Sequence, residues 1–498
     1  MQRNLIAAAI GALFVVGAGS AFALTPAATI AVSAANQIRA AGATAQDPGI
    51  LNIMRRNCGT GTLDTYTYTG SNAQTVYSCT LATPIGGVAA GTSLVVFKDS
   101  AVGSQNGVGP FTSGGAGINF VNLTAANFAA ACGTPATVAA VAPLVAYNNY
   151  TCGSSATVTA AIPDIGFSDV EPASFYPSSQ VTGASVETAN QMIFGIPVSI
   201  ALYNYLQSAQ GLSVTTAADS ANRPSLTSAQ IAGLFNTNLF YNTDLGTATI
   251  PSLADNQIYI VRRPDTSGTQ KATEINFLNS NIVNPAPSAF ATADLTAATS
   301  TVTTNANYAN LVAGCGNGVV APTAGRVFAG NGSSDVRNCL NQHGANRYAI
   351  GLLSMESNEG TAAGWRWVKV NGVMPTVANV IRGTYENWVE QAMLLKNGAA
   401  AIPAGFYAGV KADLGNPAYI PGLNGGFTTF TSEAAGQRST GIVALPNLTT
   451  GLFGGACSAK FAGAVTPDSD PVNVQTKSAG GAPNSAVKPG VAVCASRF

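Results

Sequence analysis

Charged side chains are scarce in this chain. Lys and Arg number 22, Asp and Glu number 22, and together they make up 9% of the 498 residues, against about 25% in ordinary globular proteins. The formal net charge is zero, and a chain without a basic excess has no general attraction for nucleic acid or for an anionic membrane surface. We therefore predict neither as a partner.

Histidine is almost absent, and no cysteines have the Cys-x-x-Cys spacing of zinc, haem or thiol-redox motifs. A phosphate-ester hydrolase would need clustered metal ligands or an activated nucleophile, and the sequence suggests neither. We interpret the single histidine, His343, as a solvated loop residue, and Glu356 and Glu359 as solvated rather than as an acid pair. We therefore predict no cofactor, no metal site and no enzymatic activity.

A long apolar run that could span a bilayer is also missing. The first residues instead have the three parts of a secretory signal, namely Arg3, a short apolar stretch over 5–16, and the cleavage site Ala21-Phe22-Ala23. That stretch is too short for a transmembrane helix, and no Cys near the cleavage point could carry a lipid anchor. We predict a signal peptide over 1–23, and a periplasmic or secreted mature protein with no direct membrane span.

The eight cysteines fall into four neighbouring pairs along the chain. An even number of cysteines in a secreted protein is typical of disulfides. Other connectivities are open on the sequence alone, but the spacing favours sequential pairing. The predicted disulfides are Cys58–Cys79, Cys132–Cys152, Cys315–Cys339 and Cys457–Cys494.

Strand-like runs alternate with helix-like segments, which predicts an α/β fold with mainly parallel central sheets and β-rich or loop insertions. In such sheets, ligands bind beyond the carboxyl ends of the strands. We expect helices over 48–56, 226–235, 376–382 and 387–395, the second of them capped by Thr227.

The most informative stretch is Arg262-Arg263-Pro264-Asp265-Thr266-Ser267-Gly268-Thr269, which joins a strand-like run to a helix-like segment. A helix N-terminus offers unpaired N–H groups and a partial positive charge, and a guanidinium matches a tetrahedral oxyanion. The spacing to Ser267 favours Arg263 over Arg262 as the binding residue. The alternative, an ordinary helix cap with a surface arginine, stays open on these residues alone.

Three earlier junctions between strand and loop carry the same small and hydroxyl residues, at 42–45, 100–107 and 166–169. Asp169 is the exception among them, because a carboxylate repels an anion unless the ligand brings a proton to donate, as hydrogen phosphate does and sulfate does not. The alternative is that Asp169 only caps a turn. The candidate ligand-binding residues are Ala43, Thr44, Ala45, Ser100, Gly103, Ser104, Ser168, Asp169, Arg263, Ser267, Gly268 and Thr269.

The order of these segments resembles the phosphate-binding proteins of bacterial ABC importers, which have the type II periplasmic binding protein fold. The resemblance is carried by Gly42-Ala43-Thr44, Gly103-Ser104, Ser168-Asp169, and Arg263 with Ser267-Gly268-Thr269. The chain departs from the family where Ala45 and Gln46 replace an aromatic residue and proline, and where the second loop lacks Gly-Ser-Gly. Insertions at 57–92, 111–160, 283–335 and 440–498 make it longer.

The resemblance implies two lobes, with lobe 1 over 30–195 and 350–450, lobe 2 over 196–349, and a disulfide-closed C-terminal tail over 451–498. It implies a solute-binding protein that captures phosphate or a related small oxyanion in the cleft between the lobes, with an ABC permease as a candidate partner. The alternative is an extracellular protein of structural or adhesive function that reuses the binding-protein fold, which the low charge, the insertions and the disulfides also suit.

Overall fold

The structure is a computed structural model that describes most of residues 29–420, together with 442–443. The predicted signal peptide, the C-terminal tail and the Cys457/Cys494 pair lie outside the described residues. The undescribed positions between 29 and 420 are 70–73, 125, 127–130, 154–157, 218–220, 331, 356, 358, 361–362, 382–383, 417–418, and 279–326 except for 295–296, 311–312 and 315–316.

The helices agree with three of the four predicted segments. The helices are α1 (Asp47–Asn57), α2 (Ser104–Val108), α3 (Ile200–Ala209), α4 (Ser228–Phe235), α5 (Gly268–Phe277), α6 (Ser333–His343), α7 (Val377–Ile381) and α8 (Ala401–Leu414). Thr227 caps α4 as predicted, because its side chain accepts the backbone N–H of Gln230 while the Gln230 side chain accepts that of Thr227.

The strands are short, except for two long ones. They are β1 (Gln37–Gly42), β2 (Asp64–Tyr68), β3 (Gln74–Thr80), β4 (Ser93–Asp99), β5 (Ile118–Val121), β6 (Ala136–Val138), β7 (Tyr147–Cys152), β8 (Val158–Ala161), β9 (Ile165–Ser168), β10 (Ala184–Gly195), β11 (Pro197–Ser199), β12 (Ser225–Leu226), β13 (Ile258–Arg262), β14 (Leu295–Thr296), β15 (Leu311–Val312), β16 (Cys315–Gly316), β17 (Val327–Ala329), β18 (Tyr348–Gly351), β19 (Leu353–Ser354), β20 (Trp365–Trp367), β21 (Lys369–Val370), β22 (Trp388–Lys396) and β23 (Ile442–Val443).

The helix predicted over 387–395 is wrong, because these residues form β22. Glu390, Ala392, Met393 and Leu394 favour a helix locally. However, β22 pairs antiparallel with β10 along nearly its whole length, and with β9 on its other side. This tertiary pairing overrides the local preference.

The larger sheet has eleven strands among the described residues, in the order β19-β10-β22-β9-β1-β4-β3-β2-β7-β6, with β23 also on β10. Its centre is parallel, since β1 lies parallel to both β4 and β9. The flanks are largely antiparallel because short connections such as the β2–β3 hairpin reverse the chain direction. The insertion predicted over 111–160 contributes β6 and β7 to one flank.

The smaller sheet has six strands, in the order β14-β17-β13-β18-β11-β20. Its first four strands are parallel, and β11 and β20 are antiparallel additions. The chain enters this sheet directly from the larger one, because only Ile196 separates β10 from β11.

Each sheet has its own apolar core. Helices α1 and α8 cover the centre of the larger sheet, and α3, α4 and α6 cover the smaller one. Trp365, Val377 and Tyr385 pack in the core of the smaller sheet, and Trp365 belongs to β20 at the edge of that sheet.

Two of the predicted disulfides are present, Cys58–Cys79 and Cys132–Cys152. Cys339 is also disulfide-bonded, and its helix α6 packs against β16, which contains Cys315. In the part of the chain that the structure describes, no helix is both long enough and apolar enough to cross a bilayer.

Candidate functional site

The predicted strand-to-helix turn is present between β13 and α5. Ser267 occupies the N-cap of α5, and its side chain makes no capping hydrogen bond to the helix. The Arg263 side chain is buried at 1% exposure, and its Nη1 donates a long 3.4 Å hydrogen bond to Ser333 Oγ at the start of α6. Arg262 instead forms an ion pair with the exposed Asp265. The local roles of the two arginines therefore differ.

The second loop meets this turn across the boundary between the sheets. Gln105 N donates to Thr266 O at 3.0 Å. Gly103 has φ +79°, a conformation that favours glycine, and a Cβ there would lie 3.5 Å from Arg263 Nη2 and from Ser267 Cα. The guanidinium therefore lies beside the backbone of the second loop.

Gly268, the first residue of α5, is the point where three loops converge. A Cβ on Gly268 would lie 2.2 Å from Ser104 Oγ, 2.6 Å from Asp169 Cβ and 3.0 Å from Asp169 Oδ2. Ser104 Oγ itself accepts the backbone N–H of Asp169 at 3.0 Å. The second, third and fourth predicted loops are thus in contact at the N-terminus of one helix.

The first loop is held by a buried lysine that no sequence motif indicated. Lys98 Nζ donates to Gly42 O at 2.9 Å and to Ala43 O at 3.2 Å, and lies 3.1 Å from the Asp47 carboxylate. Ala43 N donates to Phe167 O at 3.0 Å, which joins the first loop to the third. A lysine at the end of the apolar run 93–98 was the available signal, because a buried ammonium requires acceptors.

Two of the predicted hydroxyls are hydrogen-bonded to other groups of the protein. Ser100 Oγ donates to Asp47 Oδ1 at 2.9 Å and accepts Lys98 Nζ at 2.7 Å. Ser168 Oγ donates to Val170 O at 2.6 Å. These contacts show that Ser100 and Ser168 shape the loops.

The remaining candidates are mostly small and buried. Ala43 and Ala45 have no exposed surface, and Thr44 is half-buried at the start of the turn before α1. Thr269 is 1% exposed in the first turn of α5. Within the part of the chain that the structure describes, its Oγ1 has no hydrogen-bond partner. A buried hydroxyl without a partner is costly in a finished protein core and is the kind of group a ligand satisfies.

Asp169 is held by a chain of buried amides that no sequence motif indicated. Gln391 Nε2, on β22, donates to Asp169 Oδ1 at 3.0 Å. Gln46 Nε2 in turn donates to Gln391 Oε1, and it lies 3.3 Å from Asn190 Oδ1 on β10. All four side chains are at most 2% exposed. Gln46 stands at one of the positions where the sequence departs from the resembling family.

His343 and Glu359 were considered for catalysis and predicted to be solvated. Both are buried, so these two predictions are wrong. His343 is not a solvated loop residue. It lies buried at the end of α6, packs against the Tyr259 ring, and burial together with the charge of Arg347 lowers its pKa to about 3. Glu359 is not solvated either, because it forms a buried ion pair with Arg223.

The arrangement has the charge and the hydrogen-bond donors to hold an anion. It combines a buried guanidinium, the N-terminus of a ten-residue helix, and hydroxyl and backbone donors from loops of both sheets. Among the residues that the structure describes, no three His, Cys, Asp or Glu side chains are grouped so as to hold a metal ion.

No family model and no curated protein matches the chain. Among solved structures, it is similar to a Clostridium perfringens protein provisionally described as a phosphate ABC transporter substrate-binding protein, with bound phosphate, at 12% identity and a TM-score of 0.41 over 80% of this chain and 100% of that one. An ABC-type phosphate transport receptor from Vibrio cholerae matches at 17% identity and a TM-score of 0.29, over 50% of this chain and 74% of that one. PstS from Borrelia burgdorferi matches at 10% identity and a TM-score of 0.32, over 80% and 100%. With identities and TM-scores this low, these likenesses assign no ligand to this chain.

Proposed function

We propose that this chain is a periplasmic or secreted solute-binding protein that captures phosphate or a related small oxyanion between its two sheets, for uptake through an ABC permease. The observation that carries the proposal is the convergence of the predicted loops at the N-terminus of α5. Loops that are far apart in sequence bring Arg263, Ser104, Gly268 and Asp169 together there. Contacts between loops so far apart in sequence place these groups where one small ligand could reach all of them.

The donors at this point suit a dehydrated tetrahedral anion. The N-terminus of α5 supplies N–H groups and a partial positive charge, and the guanidinium of Arg263 supplies a full charge in a geometry that matches an oxyanion. Thr269 Oγ1 adds a buried hydroxyl that has no other partner in the described residues. Hydrogen bonds to a charged group contribute about 1.5–3 kcal/mol each, so several of them offset the cost of removing water from the anion.

Asp169 supports a ligand that carries a proton. Its Oδ2 lies on the side facing Gly268, while its Oδ1 is engaged by Gln391. A carboxylate in this position accepts a hydrogen bond from hydrogen phosphate or hydrogen arsenate, whereas sulfate has no proton to donate. We therefore expect phosphate and arsenate to bind in preference to sulfate.

A thermal-shift and calorimetric titration of the purified protein with phosphate, arsenate, sulfate and molybdate tests the proposal. A ligand at 100 times its Kd stabilises the folded state by about 2.7 kcal/mol. We expect stabilisation by phosphate and arsenate and little by sulfate. If no oxyanion binds, the proposed function is wrong.

The Asp169→Asn variant tests the role of the carboxylate in selectivity. An amide can donate to sulfate, so this variant should bind sulfate more tightly than the wild type and phosphate more weakly. Asp164→Asn is the matched control, because Asp164 precedes the same strand at its opposite end and accepts the Arg39 backbone N–H. Its selectivity should equal that of the wild type. Unchanged selectivity in Asp169→Asn would remove Asp169 from the binding site.

One observation favours the second candidate, a secreted structural protein that reuses this fold. The Asp169 carboxylate itself lies against the N-terminus of α5, where a negative charge is stabilising without any ligand. In that case the loops hold the two sheets together without any ligand. Asp169→Asn would then lower the melting temperature of the ligand-free protein, and no oxyanion would raise it in either form.

A further inference from the structure

Asp169 is able to discriminate between anions only if its carboxylate is held in one orientation. A carboxylate on a short side chain can rotate about χ2, and a rotated carboxylate could present either oxygen, or neither, to the anion. One contact that restricts this rotation comes from β22, the neighbour of β9 on the side away from β1, because Gln391 Nε2 donates to Asp169 Oδ1 at 3.0 Å. That leaves Oδ2 on the side of Gly268.

The orientation of Gln391 is itself determined. An amide has a donor end and an acceptor end, and a reversed amide would place its oxygen against the Asp169 carboxylate. Gln46 prevents this reversal, because its Nε2 donates to Gln391 Oε1 and so holds the acceptor end of Gln391 away from Asp169. The same Gln46 nitrogen also donates to Asn190 Oδ1 at 3.3 Å, and this bond orients the Gln46 amide.

Burial makes this chain of amides energetically important. Gln391 and Asn190 have no exposed surface, and Gln46 is 1% exposed. Inside a protein, hydrogen-bonded polar groups rigidify one another, so each bond in this chain limits the rotation of the next amide. The three amides belong to the turn before α1, to β10 and to β22. The orientation of the Asp169 carboxylate therefore depends on how these elements are placed relative to one another.

We infer that Gln391, oriented by Gln46, is a positioning residue that directs Asp169 toward the anion and thereby sets the discrimination between oxyanions that carry a proton and those that do not. This inference rests on the proposed function. It adds a specificity determinant outside the four loops, in a strand with no anion-binding motif.

The experiment compares phosphate and sulfate dissociation constants for full-length wild type and for Gln391→Met, which keeps the side-chain length but removes the donor. Since a hydrogen bond to a charged group is worth more than one tenfold step in affinity, we expect the phosphate-over-sulfate ratio to fall by about tenfold. Gln46→Met should also lower the ratio, but by less. In this variant Gln391 keeps its bond to Asp169 and loses only the bond from Gln46 that orients it.

The matched control is Gln207→Met on α3. Gln207 is also fully buried, and its amide donates to Asn222 O and accepts the Thr215 N–H, away from Asp169. The phosphate-over-sulfate ratio of Gln207→Met should equal that of the wild type, even if the melting temperature of this variant falls as far as that of Gln391→Met. Melting curves on each variant separate a loss of folding from a loss of selectivity, and Gln46→Met supplies the answer if Gln391→Met does not fold.

The outcomes distinguish this inference from the proposed function. If wild-type protein binds phosphate selectively and both Gln391→Met and Gln46→Met keep the wild-type ratio, the positioning role is wrong and the proposed function stands. If the wild type binds no oxyanion, both are wrong.

Discussion

At the scale of single residues, the candidate site depends on one position without a side chain. Gly268 has Ser104 and Asp169 where its Cβ would be, and both belong to loops of the larger sheet. Neither contact is the far end of a long flexible side chain, so room for a Cβ requires the loops to shift or Ser104 to give up its hydrogen bond from the Asp169 N–H. Only glycine, which has no Cβ, therefore allows the loops of the larger sheet to pack this closely against the N-terminus of α5.

Gly268→Ala should separate the loops at the site. Overpacking of this kind costs about 1–3 kcal/mol in the free energy of unfolding, and the displacement of the loops should weaken phosphate binding as measured by titration calorimetry. Gly360→Ala is the control, since a Cβ there meets nothing within 4 Å. Equal phosphate affinity in Gly268→Ala and wild type would mean that the binding form does not have this contact.

Lys98 gives a second prediction at this scale. Lys98→Met removes the donor to Gly42 O and Ala43 O and leaves the Asp47 carboxylate without its cation. We expect a loss of about 1–3 kcal/mol in the free energy of unfolding, measured by urea denaturation. The double variant Lys98→Met/Asp47→Asn should lose less than the sum of the two single variants, because the two groups interact directly. Simple additivity would contradict the pairing.

At the scale of secondary-structure elements, β22 shows how local and tertiary preferences compete. Its sequence favours a helix, and pairing with β10 and β9 makes it a strand. This outcome is important for the site, because successive side chains of a strand point to opposite faces. As a strand, β22 directs Gln391 toward Asp169. Local propensity gave no indication of that contact.

The segment around β20 is held by a buried ion pair. Arg223 Nη1 donates to Glu359 Oε2 at 2.9 Å and to Trp367 O at 2.8 Å, and Glu359 Oε2 accepts the Trp367 N–H at 2.9 Å. Glu359→Gln leaves a buried guanidinium without its carboxylate, which costs about 3–5 kcal/mol in similar cases. Chemical denaturation should show this loss.

The phosphate-over-sulfate ratio of folded Glu359→Gln should match that of the wild type, because the pair is bonded to Trp367 on β20, a strand that carries none of the predicted site residues. The double variant Arg223→Met/Glu359→Leu provides the control, and should be more stable than Glu359→Gln alone. If Glu359→Gln were as stable as the wild type, the ion pair would have no structural role.

At the scale of the whole molecule, two buried groups in different parts of the fold, His343 in α6 and Asp64 in β2, are predicted to respond oppositely to acid. Burial lowers the pKa of His343 to about 3 from 6.5, so the stability it contributes is present at neutral pH and is lost as pH falls through this range. Burial raises the pKa of Asp64 in β2 to about 6 from 3.8, so its contribution is present in acid and is lost as pH rises through about 6.

Melting temperatures measured from pH 7 down to pH 4 test the pH dependence assigned to His343 and to Asp64. His343→Gln should flatten the loss of stability toward acid, and the chain has no other histidine to obscure the effect. Asp64→Asn should make the loss toward acid steeper, because it removes the opposing contribution. A wild-type pH profile in either variant would contradict the corresponding burial.

The local parts of the candidate site were predictable from sequence. The turn from β13 into α5 follows from Ser267-Gly268-Thr269 after an apolar run, and the α4 cap follows from Thr227 and Gln230, because strand ends and helix caps depend on neighbours only a few residues away. The disulfides Cys58–Cys79 and Cys132–Cys152 followed from spacing for a similar reason, since each closes a short loop.

Which residue types stand at the strand ends, and in which order they follow along the chain, can be read from the amino-acid sequence alone. The tertiary structure decided how those residues are used: Ser100 and Ser168 support their loops, Arg263 is buried beside the second loop, and Asp169 is held by a glutamine 222 positions away. The physical reason is the range of the interactions. A helix cap is set by residues three or four apart, whereas the partner of a buried carboxylate depends on strand order and register, which emerge only when both sheets have formed.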